Sequence, residues 1–161
     1  MISLHIVQSN LNDDKNVFLS EDGTEGGRIK ELSAEPLEYM DNISMHWISE
    51  NVDNEANGSH NGTNYFAYTF YVVNDGTQSV NYWYEIDIDD SIKNVDGAVR
   101  IMIYRNGEKK IYAKKNGVTN QPEEGTTKFY SDSIAVLEER KAFSPKEKDK
   151  FTVVIWLEGF L

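Results

Sequence analysis

Phe66-Ala67-Tyr68-Thr69-Phe70-Tyr71-Val72-Val73-Asn74-Asp75-Gly76-Thr77-Gln78-Ser79-Val80-Asn81-Tyr82-Trp83-Tyr84-Glu85-Ile86-Asp87-Ile88-Asp89 is the stretch that decides the fold. Apolar residues fall on every second position on both sides of a polar turn: Phe66, Tyr68, Phe70 and Val72 before it, and Val80, Tyr82, Tyr84, Ile86 and Ile88 after it. Side chains of an extended strand point alternately to opposite faces, so each segment has one apolar stripe and one more polar side. The pattern predicts two consecutive strands of an antiparallel sheet with one wet face.

Working outward, Ile2, Leu4 and Ile6 alternate with Ser3, His5 and Val7, which predicts a short amphipathic strand. Residues 10–27 are polar, with the run Ser20-Glu21-Asp22-Gly23-Thr24-Glu25-Gly26-Gly27, and are expected to be a mobile tether. The domain reading is therefore an N-terminal strand with its tether over residues 1–27 and a sandwich domain over residues 28–161. Ile43, Met45 and Trp47 against Ser44 and His46 suggest another strand, followed by an exposed loop over residues 51–64.

Val99, Ile101 and Ile103 lead into Asn106-Gly107, the preferred pair for a type I′ hairpin, in which both central residues need positive φ. Counting back from that turn puts Arg105 opposite Glu108, Met102 opposite Ile111 and Ile101 opposite Tyr112, pairs matched in charge or apolarity. Lys109, Lys110, Lys114 and Lys115 on the return segment mark a sheet edge. Ile134 and Val136 fit a short strand, while residues 136–140 fit a helical turn equally well. After a charged connector over residues 143–150, Phe151, Val153, Ile155 and Leu157 form a last strand. Val154 and Trp156 give that strand bulk on its other face, so it is expected to be central. Seven or eight short strands with polar turns predict an all-β fold, an antiparallel β-sandwich or jelly roll with long polar loops and little helix.

The chain of 161 residues suits one core that needs no covalent staples, and it has no cysteine, which excludes disulfides, zinc-thiolate sites and thiol nucleophiles. A formal net charge of −11 argues against nucleic acid and anionic membranes as partners. No apolar run reaches the roughly 18–20 residues that a membrane-spanning helix needs. Residues 1–16 lack the basic start and apolar centre of a secretory signal. Read as a whole gene product the chain is expected to be cytoplasmic, whereas read as a mature fragment with an added Met the missing signal says nothing about export.

Catalytic signatures do not stand out. His5, His46 and His60 do not form an HExxH pattern, and no GxSxG elbow occurs. Asp87, Asp89, Asp90 and Asp96, with Asn94, run from a strand end into a turn and form a candidate calcium site, since hard cations take six to eight oxygen ligands. The competing reading is a solvated acidic turn, with no cofactor at all. Tyr71 and Trp83 lie opposite the main apolar stripes and form a candidate sugar-stacking platform. A sheet face covered by loops accounts for them as well.

In order of elements, roughly residues 37–161 resemble the TasA and camelysin (CalY) group of secreted Gram-positive proteins. The residues that carry the resemblance are the strand from Phe66 ending in Asn74-Asp75-Gly76, the aromatic strand after it, Val99-Arg100-Ile101-Met102-Ile103-Tyr104, and the final strand Phe151 to Leu157. The resemblance implies export, a cell-surface or extracellular location, and self-association into biofilm-matrix fibres, alone or with other matrix or surface proteins. It also implies donor-strand exchange, in which the N-terminal segment of one subunit completes the sheet of the next. Ile2, Leu4 and Ile6 are the expected assembly strand. Camelysin-type proteins have been classed as metallopeptidases, but the missing HExxH pattern argues against that activity, and the expected role is non-enzymatic. The alternative is an extracellular ligand-binding or adhesive module for calcium or glycan. A cytoplasmic enzyme has only the missing signal in its favour.

Overall fold

A computed structural model describes the backbone of residues 2–8 and, in full, residues 16–29, 37, 40–88 and 97–159. Its strands are β1 (Ile2–Gln8), β2 (Val17–Ser20), β3 (Arg28–Ile29), β4 (Gly58–Ser59), β5 (Tyr65–Asn74), β6 (Val80–Ile88), β7 (Val99–Arg105), β8 (Glu108–Ala113), β9 (Thr127–Lys128), β10 (Ile134–Phe143) and β11 (Lys148–Leu157). Helix is confined, among the described residues, to single 3-10 turns at Glu25–Gly27, Met45–Trp47 and Val52–Asn54. The chain is an all-β sandwich. One sheet has the order β1-β6-β10, and the other has the order β3-β2-β5-β11-β7-β8-β9 with β4 also on β5. All pairs are antiparallel except β8 with β9.

The two strands expected to be neighbours in one sheet lie in different sheets. β5 pairs with β2, β4 and β11, whereas β6 pairs with β1 and β10. The segment between them is an arch that carries the chain across the core, and their apolar stripes face each other. Phe70 and Val72 meet Tyr82, Tyr84 and Ile86 in one buried cluster. Phe70 stacks on Phe151 of β11 at 5.2 Å, and the Tyr84 ring meets Phe151 edge-on at 5.0 Å across the layers. Such aromatic pairs add about 0.5–1.5 kcal/mol beyond their burial.

β10 and β11 are joined in the same way, from the small sheet to the large one, and the two arches are bonded to each other. Asn74 is fully buried at the end of β5. Its amide nitrogen donates to the carbonyls of Gln78 (2.9 Å), Phe143 (3.1 Å) and Ser144 (3.1 Å), and its Oδ1 accepts from the Gly76 amide at 3.0 Å. The main chain repeats the link, with Asn74 N donating to Glu147 O and Lys146 N to Asn74 O. The Asn-x-Gly signature is thus a bracket between arches, not the tip of a hairpin.

The wet face holds for β6, where Asn81, Trp83, Glu85 and Asp87 alternate with buried residues, but not for the large sheet. There Ile43, Ile48 and Val52 lie over Tyr65, Ala67, Met102, Tyr104, Val154 and Trp156 in a second core. This also corrects the strand expected at Ile43–Trp47. Ile43 makes only an isolated bridge to Glu158, and Met45–Trp47 is a 3-10 turn, because this segment crosses the sheet's outer face as a cover. Apolar burial beat local alternation.

Elsewhere the structure follows the sequence more closely. Asn106 (φ 52°) and Gly107 (φ 87°) are both left-handed, and the expected register Arg105–Glu108, Met102–Ile111, Ile101–Tyr112 is present. β11 is central, between β5 and β7. Residues 134–143 form a strand rather than a helical turn. Of the tether expected over residues 10–27, Val17–Ser20 is a strand on β5, and the turn after it is fastened by Ser20 Oγ and Asp22, whereas residues 10–15 lie outside the described residues.

Asn74→Ala removes the donors from three carbonyls and is expected to lower the unfolding free energy by roughly 2–4 kcal/mol, as for buried acceptors left without partners. Urea denaturation measures it, and a change within about 0.5 kcal/mol, the range of ordinary surface substitutions, would contradict the bracket.

Candidate functional site

The edge of the small sheet is the first candidate. β1 runs along β6 from Ile88 to Tyr82 in unbroken register, with Ile2 opposite Ile88, Leu4 opposite Ile86 and Ile6 opposite Tyr84. These partners belong to the main core and are 3 %, 1 % and 5 % exposed. β6 is the middle strand, so β1 is outermost and satisfies seven residues' worth of backbone that would otherwise form an open edge. Residues 9–16 separate it in sequence from β2, which belongs to the other sheet.

The other sequence-derived candidates do not assemble into one place. Tyr71 faces outward from the large sheet, with its ring over Gly23 and its hydroxyl 3.4 Å from Asn57 Oδ1. Trp83 faces outward from β6 in the small sheet. The two rings therefore lie on opposite outer surfaces and form no shared platform. Both face outward, as the alternation predicts, but the arch puts them on different layers. Asp87 is the penultimate residue of β6, in register with Ser3 and Ile134, while Asp89, Asp90, Asn94 and Asp96 lie outside the described residues. Among the described residues no three His, Asp or Glu side chains are grouped to hold a metal ion. No helix of the described residues is long and apolar enough to cross a membrane.

The structure also gathers two polar constellations without a local sequence signal. In the first, Glu55 Oε1 lies 3.4 Å from His60 Nδ1, His60 Nε2 is 2.8 Å from Thr69 Oγ1, and Thr69 Oγ1 is 2.6 Å from Thr152 Oγ1. Carboxylate, imidazole and hydroxyl stand in the order of a hydrolytic triad. Thr69 and Thr152 are nevertheless fully buried partners across β5 and β11, so no acyl carbon can approach this hydroxyl, and the chain acts as a strut holding residues 55–60 to the sheet.

In the second, Asp149 is fully buried on β11. It accepts from Tyr82 Oη (2.6 Å), Arg140 Nε (2.8 Å), Arg140 Nη2 (3.2 Å) and Asn106 Nδ2 (2.9 Å), and Arg140 also reaches Glu147 at 2.8 Å. Burial opposes the Arg140 charge, but the Asp149 and Glu147 carboxylates outweigh it and raise its pKa. Burial, followed by the charge of Asp149, holds the Tyr82 hydroxyl protonated far above the usual tyrosine range. Burial also raises the pKa of the Tyr84 and Tyr112 hydroxyls.

These shifts fix the alkaline behaviour. Below about pH 10 the tyrosines are neutral in both the folded and the unfolded chain, and their contribution is fully present. Above it the unfolded chain releases protons that the folded chain keeps, so stability falls as pH rises. Tyr82→Phe is expected to cost about 1.5–3 kcal/mol at neutral pH, through the lost bond to a charged acceptor. It should also make the alkaline decline shallower. Urea titrations of both proteins across that pH range check this, and equal slopes would contradict it.

No family model, no curated protein and no solved structure matches this chain.

Proposed function

We propose that this protein is a structural, non-catalytic subunit, exported to the surface or extracellular matrix of a Gram-positive bacterium, that assembles into fibres by exchanging β1 between copies. The observation that carries the reading is the position of β1: an outer strand, seven residues long, laid against the middle strand of a sheet of three. Strand addition draws affinity from main-chain hydrogen bonds and specificity from alternate side chains, and β6 offers both in the positions of Tyr84, Ile86 and Ile88. A β1 supplied by a second copy can adopt the same register that the chain's own β1 adopts. When each copy donates to the next, the contact is head-to-tail and grows a filament unless its rotation closes a ring. The resemblance to the TasA and camelysin group supports the same assignment and supplies its location.

The absence of native cysteine permits a direct test. Ser3 and Asp87 are register partners. In Ser3→Cys/Asp87→Cys protein, oxidised under fibre-forming conditions, exchange is expected to give a covalent ladder on a denaturing gel. Only internally bridged monomer would contradict exchange. Deleting residues 1–8 is expected to leave a folded monomer that no longer polymerises, and fibres from the truncated protein would refute the mechanism.

A further inference from the structure

A concave site of about 260 Å³ opens where β8, β9 and the start of β10 converge, lined by Lys114, Lys115, Lys128, Phe129, Tyr130, Ser131 and Asp132. Three lysines at one cleft stand out in a chain with net charge −11. Lys115 and Lys128 are exposed, and neither forms an ion pair among the described residues. Tyr130 leaves 64 % of its surface in solvent, while its neighbour Phe129 is buried in the main core.

The frame beneath these groups is tied down. Tyr112 and Ala113 pair in parallel with Thr127 and Lys128, and Phe129 N donates to Ala113 O at 3.0 Å. Tyr130 N donates to Ala135 O, and Ser131 N to Ile134 O. Ser131 Oγ accepts from Ile134 N at 3.1 Å, which leaves its hydroxyl proton to donate outward.

We infer that this cleft binds a carboxylate-bearing sugar, presented singly or as a unit of a short oligosaccharide. Four of the lining groups have a part in that chemistry. Lys115 and Lys128 supply point charges for the carboxylate, and their flexible stems let the ammonium groups converge on it. Tyr130 gives a rigid amphipathic ring on which the apolar face of a pyranose can lie. Asp132, an obligate acceptor when ionised, suits sugar hydroxyls and opposes a bare phosphate dianion. A volume just under the usual range of small-molecule pockets fits one ring better than a large ligand. The rest of the acidic surface disfavours a densely charged polyanion such as nucleic acid, whereas a single carboxylate within about 8 Å of the lysines escapes most of that repulsion by salt screening.

Calorimetric titration with trisaccharides of galacturonate, glucuronate and mannuronate, beside maltotriose and inorganic phosphate, tests the assignment. At least one acidic trisaccharide is expected to bind saturably and more tightly than maltotriose or phosphate, and to weaken as salt is raised. Lys115→Ala/Lys128→Ala should weaken it by about tenfold or more, the scale of losing hydrogen bonds to a charged group. Tyr130→Ala should weaken it by about threefold or more, the scale of an aromatic contact. All three side chains are exposed, so unchanged circular dichroism will show that the variants fold. No binding of any acidic trisaccharide at millimolar concentration would overturn the proposal. So would equal binding of phosphate with Tyr130→Ala unaffected, or equal binding of maltotriose.

Discussion

The carboxylate of Asp149 ties the two layers together. It sits on the large sheet and takes hydrogen bonds from Tyr82 and Arg140 of the small sheet and from Asn106 at the β7–β8 turn. Removing a charge from water is expensive, and a buried pair is stabilising only where geometry and extra donors complete it. Here four donor atoms converge at 2.6–3.2 Å, which holds the carboxylate in a single arrangement. Sliding either sheet by one residue would strand that charge, so the network fixes the register of one layer on the other.

From that constraint the rest follows in order. With the layers registered, β5 and β6 must be joined across the core, and so must β10 and β11, which brings two arches side by side for Asn74 to bridge. Among the described residues the small sheet has three strands with β6 as its spine, and its outer flank is held by β1. On its other side Lys110 of β8 reaches Glu138 of β10 at 3.2 Å. The two flanks of the small sheet are therefore unlike: β8 approaches one, and among the described residues β1 holds the other. The proposed exchange between copies rests on that asymmetry.

How much of this was legible depends on the range of the physics involved. The Asn106-Gly107 hairpin and its register were readable because two adjacent residues set the turn and cross-strand pairs confirm it. The alternation of β5 and β6 was readable, but it is identical for neighbours in one sheet and for strands facing each other across two, so the arch was not. The decisive groups, Asn74 with Phe143 and Tyr82 with Asp149, are 69 and 67 residues apart. The second core hid because Ile43, Ile48 and Val52 are scattered through a polar stretch and become a set only when laid over Trp156 and Met102. The same holds for the candidate sites. Tyr71 and Trp83 were correctly outward, and their separation onto two surfaces came from the arch. The lysine cleft needed the parallel β8–β9 contact that brings Lys128 beside Lys114, a pairing with no sequence signal.

The layer assignment of β6 is where all of this stands or falls, and nuclear Overhauser contacts between backbone protons of an isotope-labelled sample read it directly. The account predicts cross-strand contacts from β6 to β1 and β10, from β5 to β2, β4 and β11, and none between the backbones of β5 and β6. A continuous antiparallel ladder from Val72 and Phe70 to Tyr82 and Tyr84 would contradict it.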